Sequence, residues 1–140
     1  DDCEYMNRKL FAKYKEVEEK EVKYETYNME APEIVFVAYG TTARIVKNAI
    51  NALKKDGINA GLIRPITLWP YPTQAIAEAA KLASVKAFMS VEMSMGQMVE
   101  DVKLSVNGVK PVHFFGRSGG TVPKPKEIVE EAKKILGGMK

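Results

Sequence analysis

Cysteine and histidine are almost missing from this sequence: its 140 residues hold one of each, Cys3 and His113. One cysteine allows no intramolecular disulfide. One cysteine and one histidine exclude a Cys/His zinc site or a cysteine-ligated iron–sulfur cluster built from this chain alone. Cys3 reads as a free thiol on or under a first helix, and the scarcity fits a reducing compartment. Long apolar runs are missing too. None approaches the roughly 18 residues that a membrane span requires, and no leader pattern stands at the start. A cytoplasmic location with no membrane partner is the expectation. Blocks of charge are absent. The net charge is +3, with six basic and nine acidic residues over positions 1–31 and fifteen and nine over 32–140. That diffuse excess lacks the clustered Lys/Arg and aromatics of a nucleic-acid face, so no nucleic-acid partner is expected. Familiar nucleotide and hydrolase motifs are also missing: no Gly-x-Gly-x-x-Gly, no P-loop, no Gly-x-Ser-x-Gly elbow. The opening Asp1-Asp2-Cys3 lacks an initiator Met, as expected of a piece of a longer polypeptide.

What is present is a regular alternation of strands and helices. Residues 3–20 carry Met6, Leu10, Phe11, Tyr14 and Val17 at helical spacing. Residues 20–27 switch to a period of two, which predicts a half-exposed strand whose charges suit a sheet edge. Ile34-Val35-Phe36-Val37-Ala38 is apolar without alternation, the pattern of a central strand covered on both faces. Tyr39-Gly40-Thr41-Thr42 follows, with Gly40 turning the chain and Thr41 or Thr42 capping a helix. That helix carries Ile45, Val46, Ala49, Ile50 and Leu53 on one stripe and stops at Asp56-Gly57. Asn59 to Arg64 predicts the next strand, and the prolines of Arg64-Pro65-Ile66-Thr67-Leu68-Trp69-Pro70-Tyr71-Pro72 predict a stiff extended loop. Thr73 is expected to cap a helix over 74–83. A strand over 86–92 leads through Met93-Ser94-Met95-Gly96-Gln97 into a helix bearing Met98, Val99, Val102 and Val106, stopped by Asn107-Gly108. A short strand over 111–115, a loop from Gly116-Arg117-Ser118-Gly119-Gly120, and a last helix over 126–136 complete the chain. The pattern implies one domain: a doubly wound α/β body over residues 32–140, with the helix and edge strand of residues 1–31 packed on it. Parallel strands need right-handed crossovers, with helices on both faces of the sheet.

In such sheets ligands and partners meet the carboxyl ends of the strands. The candidate binding or assembly residues are therefore Gly40, Thr41, Thr42, Arg64, Trp69, Tyr71, Glu92, Met93, Met95 and Arg117. Each has a plainer reading. Gly40 and the threonines are a turn and cap, or else hold an anion at a helix start. Arg64 is a solvated strand end, or pairs with Glu92. Glu92 is a structural ion pair. Met93 and Met95 are adaptable packing suited to docking. Arg117 sits in a loose loop, or in an anion nest with backbone amides. His113, inside an apolar strand, reads as a satisfied buried histidine rather than a general base. No catalytic, cofactor-binding or metal-binding residue is assigned.

Four stretches taken together carry a family resemblance: Val37-Ala38-Tyr39-Gly40-Thr41-Thr42-Ala43-Arg44, Leu62-Ile63-Arg64-Pro65-Ile66-Thr67-Leu68-Trp69-Pro70-Tyr71-Pro72, Val91-Glu92-Met93-Ser94-Met95-Gly96-Gln97, and Gly116-Arg117-Ser118-Gly119-Gly120. In order and spacing the chain resembles the C-terminal, transketolase-C-like domain of the α subunit of 2-oxoacid:ferredoxin oxidoreductases, of the 2-oxoisovalerate or 2-oxoglutarate type. The resemblance runs from about Asn7 to Leu136, and its Arg-Pro-Ile-Thr-Leu-Trp-Pro-Tyr-Pro stretch is the most specific part. It implies a three-layer α/β/α sandwich whose five-stranded, mostly parallel sheet has order 1-3-2-4-5, with strand 1 an antiparallel edge. It implies an accessory role in oxidative decarboxylation of a 2-oxoacid to acyl-CoA with reduction of ferredoxin. Thiamine diphosphate, Mg²⁺ and iron–sulfur clusters would belong to the full complex and not to this stretch. The partners would be the rest of the α subunit, the other subunits and, for the complex, ferredoxin and CoA. The stretch alone is expected to be inactive. The competing reading is an independent small-ligand or protein-binding module on a doubly wound sheet.

Overall fold

The computed structural model describes residues 23–66, 72–92, 98–116 and 123–138. Five strands form one sheet: β1 (Tyr24–Tyr27), β2 (Ile34–Val37), β3 (Ala60–Pro65), β4 (Ala87–Glu92) and β5 (Val112–Gly116). Their order is β1-β3-β2-β4-β5. Only β1 is antiparallel, set against β3 with Glu25 opposite Arg64 and Tyr27 opposite Leu62. The described helices are α1 (Thr41–Lys55), α2 (Thr73–Ala80), α3 (Val99–Val106) and α4 (Pro125–Gly137). The sandwich, the strand order and the antiparallel edge are those the resemblance implied. The expected helix over 3–20, and the part of the first strand before Lys23, lie outside the described residues.

Alternation along the strands divides the core in two. Ile34, Phe36 and Ala38 join Leu62, Met89 and Val91 under α1 and α4. Val35 and Val37 join Ile63 and Phe88 under α2 and α3. β2 is wholly buried between β3 and β4, which is why its sequence shows no polar alternation. Helices α1 and α4 are further tied by Lys133 Nζ and Asp56 Oδ2, 2.6 Å apart.

The Asn28–Pro32 turn is built around β3. Asn28 Nδ2 donates to Asn59 Oδ1 at 2.8 Å and to the Ala60 carbonyl at 2.7 Å, and Asn59 Nδ2 donates to the Ala31 carbonyl at 2.7 Å. Gly61 lies beneath this turn. A Cβ added there would stand 2.5 Å from Met29 Sδ and 3.0 Å from the Asn28 carbonyl oxygen.

Several local expectations shift. Gly40 itself is the N-cap of α1, with φ 62° and ψ −143°, and no side chain caps the helix. The positive φ makes the turn within one residue, so Thr41 and Thr42 already lie inside the first turn. A cap oxygen must stand outside it to reach the N2 and N3 amides. Thr73 is displaced in the same way, because Pro72 is the N-cap of α2. α2 also closes early, at Ala80, through hydrogen bonds from Lys81 N–H to the Glu78 carbonyl and from Leu82 N–H to the Ala79 carbonyl. Met98 caps α3 rather than lying within it. β3 begins at Ala60 and takes in Pro65, whose missing N–H falls harmlessly at the strand end. The helix stops at Gly57 and Asn107 are as expected. In the first, Ile58 N–H donates to the Leu53 carbonyl and Gly57 N–H to the Lys54 carbonyl, a Schellman closure with Gly57 at φ 79°.

Candidate functional site

β2 and β4 are neighbours, yet the chain leaves them on opposite faces: α1 packs on one side of the sheet and α3 on the other. Their carboxyl ends therefore flank a topological switch point, where α/β sheets open a crevice. Val37 stands opposite Ser90 in the register. Beyond that pair come Tyr39-Gly40 on one strand and Glu92 on the other.

On the β2 side, Tyr39, Gly40, Arg64, Pro65 and Ile66 line a hollow of about 280 Å³. Gly40 and Thr41 are exposed, while Thr42 is buried. α1 carries no acidic residue in its first turn. Ile66 is half exposed, and its N–H donates to the Lys23 carbonyl at 2.9 Å, which fixes the start of β1 beside the hollow. Tyr39, Pro65 and Ile66 lie in stretches that carry the family resemblance, but nothing in the sequence alone marks them as lining a hollow.

On the β4 side, Glu92 is 1% exposed. Its Oε1 accepts from Met98 N–H at 2.5 Å, and its Oε2 accepts from Val99 N–H at 3.0 Å and from Ser90 Oγ–H at 3.1 Å. The carboxylate so buried is answered by donors, as a buried charge must be. Helix α3 continues with Glu100 and Asp101 in its first turn, which suits the positive end of the helix dipole. Ser90 was not singled out in the sequence. The signal for it was the alternation of β4: residues two apart share a face, so Ser90 and Glu92 are neighbours.

The expected Arg64–Glu92 ion pair is not formed. Arg64 has the parity of Ala60 and Leu62, which face α1 and α4, whereas Glu92 has that of Phe88, which faces α2 and α3. With β2 also between their strands, the two side chains leave the sheet on opposite faces. Arg64 instead meets its antiparallel partner, Glu25, with Nη1 3.2 Å from Oε2. His113 is half buried on edge strand β5, not buried, because among the described residues β5 pairs only with β4. Trp69, Tyr71, Met93, Met95 and Arg117 lie outside the described residues, as does Cys3.

Among the described residues no three His, Cys, Asp or Glu side chains converge as a metal site would need, and no helix is long and apolar enough to cross a membrane.

Solved structures share this five-stranded α/β fold. The chain aligns with a split-gene transketolase, solved as an inactive tetramer, at a TM-score of 0.69 and 19% identity, over 82% of this chain and 41% of that one. It aligns more fully with a 2-oxoglutarate:ferredoxin oxidoreductase from Magnetococcus marinus, whose structure holds 2-oxoglutarate, coenzyme A and succinyl-CoA. There the TM-score is 0.76 at 25% identity, over 94% of this chain and 23% of that one. Residues 32–128 match the family of pyruvate:ferredoxin oxidoreductase core domain II, and the chain belongs to that family. Among curated relatives, the ketoisovalerate oxidoreductase subunit VorB of Methanothermobacter marburgensis is 44% identical over 137 residues, which is 98% of this chain and 38% of the relative. The chain thus spans about two-fifths of that relative's length.

Proposed function

We propose that this chain acts as the accessory C-terminal domain of a thiamine-diphosphate-dependent 2-oxoacid:ferredoxin oxidoreductase. That complex would convert a 2-oxoacid to an acyl-CoA and pass the electrons to ferredoxin. The observation that carries the reading is near-complete coverage of the chain by a ketoisovalerate oxidoreductase subunit at 44% identity. The fold neighbour with a 2-oxoacid and coenzyme A bound supports the same class. Within it, a branched-chain 2-oxoacid is the substrate favoured by the VorB likeness.

The described residues do not fit thiamine diphosphate with its magnesium. Their one deeply buried carboxylate, Glu92, already serves three donors of its own chain, and among the described residues no three His, Cys, Asp or Glu side chains gather as a metal site would need. No step of the reaction is therefore assigned to a residue here. The cofactor, the magnesium and the iron–sulfur clusters belong in this reading to the rest of the complex. This domain contributes the rim that meets it. Tyr39 and Gly40 shape one wall, Arg64, Pro65 and Ile66 another, and Glu92 ties the end of β4 to the start of α3. Ferredoxin and CoA are partners of the complex, and the setting is the cytoplasm.

Calorimetric titration tests the proposal. The 140-residue chain alone should show no tight thiamine diphosphate binding and no 2-oxoacid oxidation, whereas the complex containing it should reduce ferredoxin when given 2-oxoisovalerate and CoA. Tight cofactor binding by the chain alone would overturn the accessory role.

A further inference from the structure

The N-terminus of a helix at the carboxyl edge of a parallel sheet is where α/β proteins usually receive an anion. At α3 that place is filled from within. Glu92, the last residue of β4, turns its carboxylate onto the backbone N–H groups of Met98 and Val99. Ser90, two residues earlier on the same face and 0% exposed, donates its hydroxyl to the same carboxylate. One buried side chain thus ties the end of a central strand to the start of a helix six and seven residues further on. A local cap does not replace this arrangement, because a Ser or Asp at the N-cap, position 98, would reach the N2 and N3 amides and not those of Met98 and Val99. Reaching back from the strand does something a local cap cannot. It fixes α3 relative to the sheet at the switch point, where the rim faces outward.

We infer that Glu92 is a positioning residue of the oxidoreductase. Through its two backbone hydrogen bonds it holds the start of α3 against the carboxyl end of β4, in the position that the rim presents to the rest of the complex. Ser90 holds the carboxylate in turn. The inference rests on the proposed function for the complex that it serves, but the hydrogen-bonded tie can be measured without any activity.

The experiment uses the complete complex carrying Glu92→Gln or Glu92→Ala, with Ser90→Ala as the milder variant. Hydrogen exchange should quicken at the Met98 and Val99 amides at least tenfold in Glu92→Ala and by less in Glu92→Gln, which keeps one acceptor oxygen. The amides of β2 should be unchanged. Steady-state kinetics per assembled complex should show KM for the 2-oxoacid or for CoA raised at least threefold, with kcat within twofold of the parent. Glu92→Gln should fall between the parent and Glu92→Ala. Unchanged exchange at Met98 and Val99 would overturn the tie. Quickened exchange with parental KM and kcat would reduce Glu92 to a structural cap and overturn the positioning role. A parent complex that reduces no ferredoxin would instead sink the proposed function, and the positioning role with it.

Discussion

At the scale of single residues, backbone conformation decides more than chemistry does. Gly40 has φ 62° and ψ −143°, yet nothing lies within 4 Å of where its Cβ would stand. Gly40→Ala should therefore cost about 1–3 kcal/mol through backbone strain alone, read as a lower urea midpoint with an unchanged slope. Gly61 is the opposite case. Its φ is ordinary, but a Cβ would run into Met29 and the Asn28 carbonyl. Gly61→Ala should cost about 1–3 kcal/mol by overpacking, and Met29→Ala in the same chain should recover only part, because the backbone oxygen remains. Ala31 sits at φ 108°, a conformation that suits glycine. Ala31→Gly should raise stability by on the order of 1 kcal/mol, the relieved strain exceeding the added freedom of the unfolded chain. None of these environments could be inferred from the residues before the turn was seen. Arg64 and Glu92 show the related failure. Complementary charge suggested a pair, but the period of two in their strands had already sent them to opposite faces.

Elements were more legible than the residues that join them. The unbroken apolar run of β2 announced a central strand, and the stripes of α1 and α4 announced their buried sides. Phe36 is fully buried among both covering helices and the sheet, so Phe36→Ala should cost about 3–5 kcal/mol in chemical denaturation. The Glu25–Arg64 pair across β1 and β3 is largely solvent-exposed, with side chains 52% and 30% accessible. Glu25→Gln should shift stability by no more than about 1 kcal/mol, and less as salt rises. The stops of α1 and α3 were visible because Gly57 and Asn107 adopt left-handed conformations readily. Helix starts were misplaced by one residue at Thr41 and Thr73, since a threonine looks alike just outside and just inside the first turn.

For the whole molecule, strand order could not come from the alternation of strands and helices alone. Hydrophobic periodicity makes β2 central but does not say which strand follows on which side. The order came from likeness to a known family, and the structure has it. The expected assembly residues are the part least legible, because several of them, in the expected proline and methionine loops, lie outside the described residues. If those loops face the rest of the complex, Trp69→Ala should weaken assembly in analytical ultracentrifugation more than it alters turnover per assembled complex. Normal assembly with lost turnover would put Trp69 beside the chemistry instead.

The antiparallel first strand has a practical consequence for handling the protein. Because β1 runs against its neighbours, Lys23 lies at the carboxyl edge beside Ile66. Helix α4 runs from the carboxyl edge toward the opposite one, and Lys133, late in α4, meets Asp56 at the far end of α1. The described chain thus comes in at one pole of the sheet and leaves at the other. A surface-capture handle or fluorophore attached just after Gly138 would hang from the pole opposite the rim, leaving that rim free for a sensor measurement. The same attachment just before Lys23 would start beside the hollow and compete with whatever docks there.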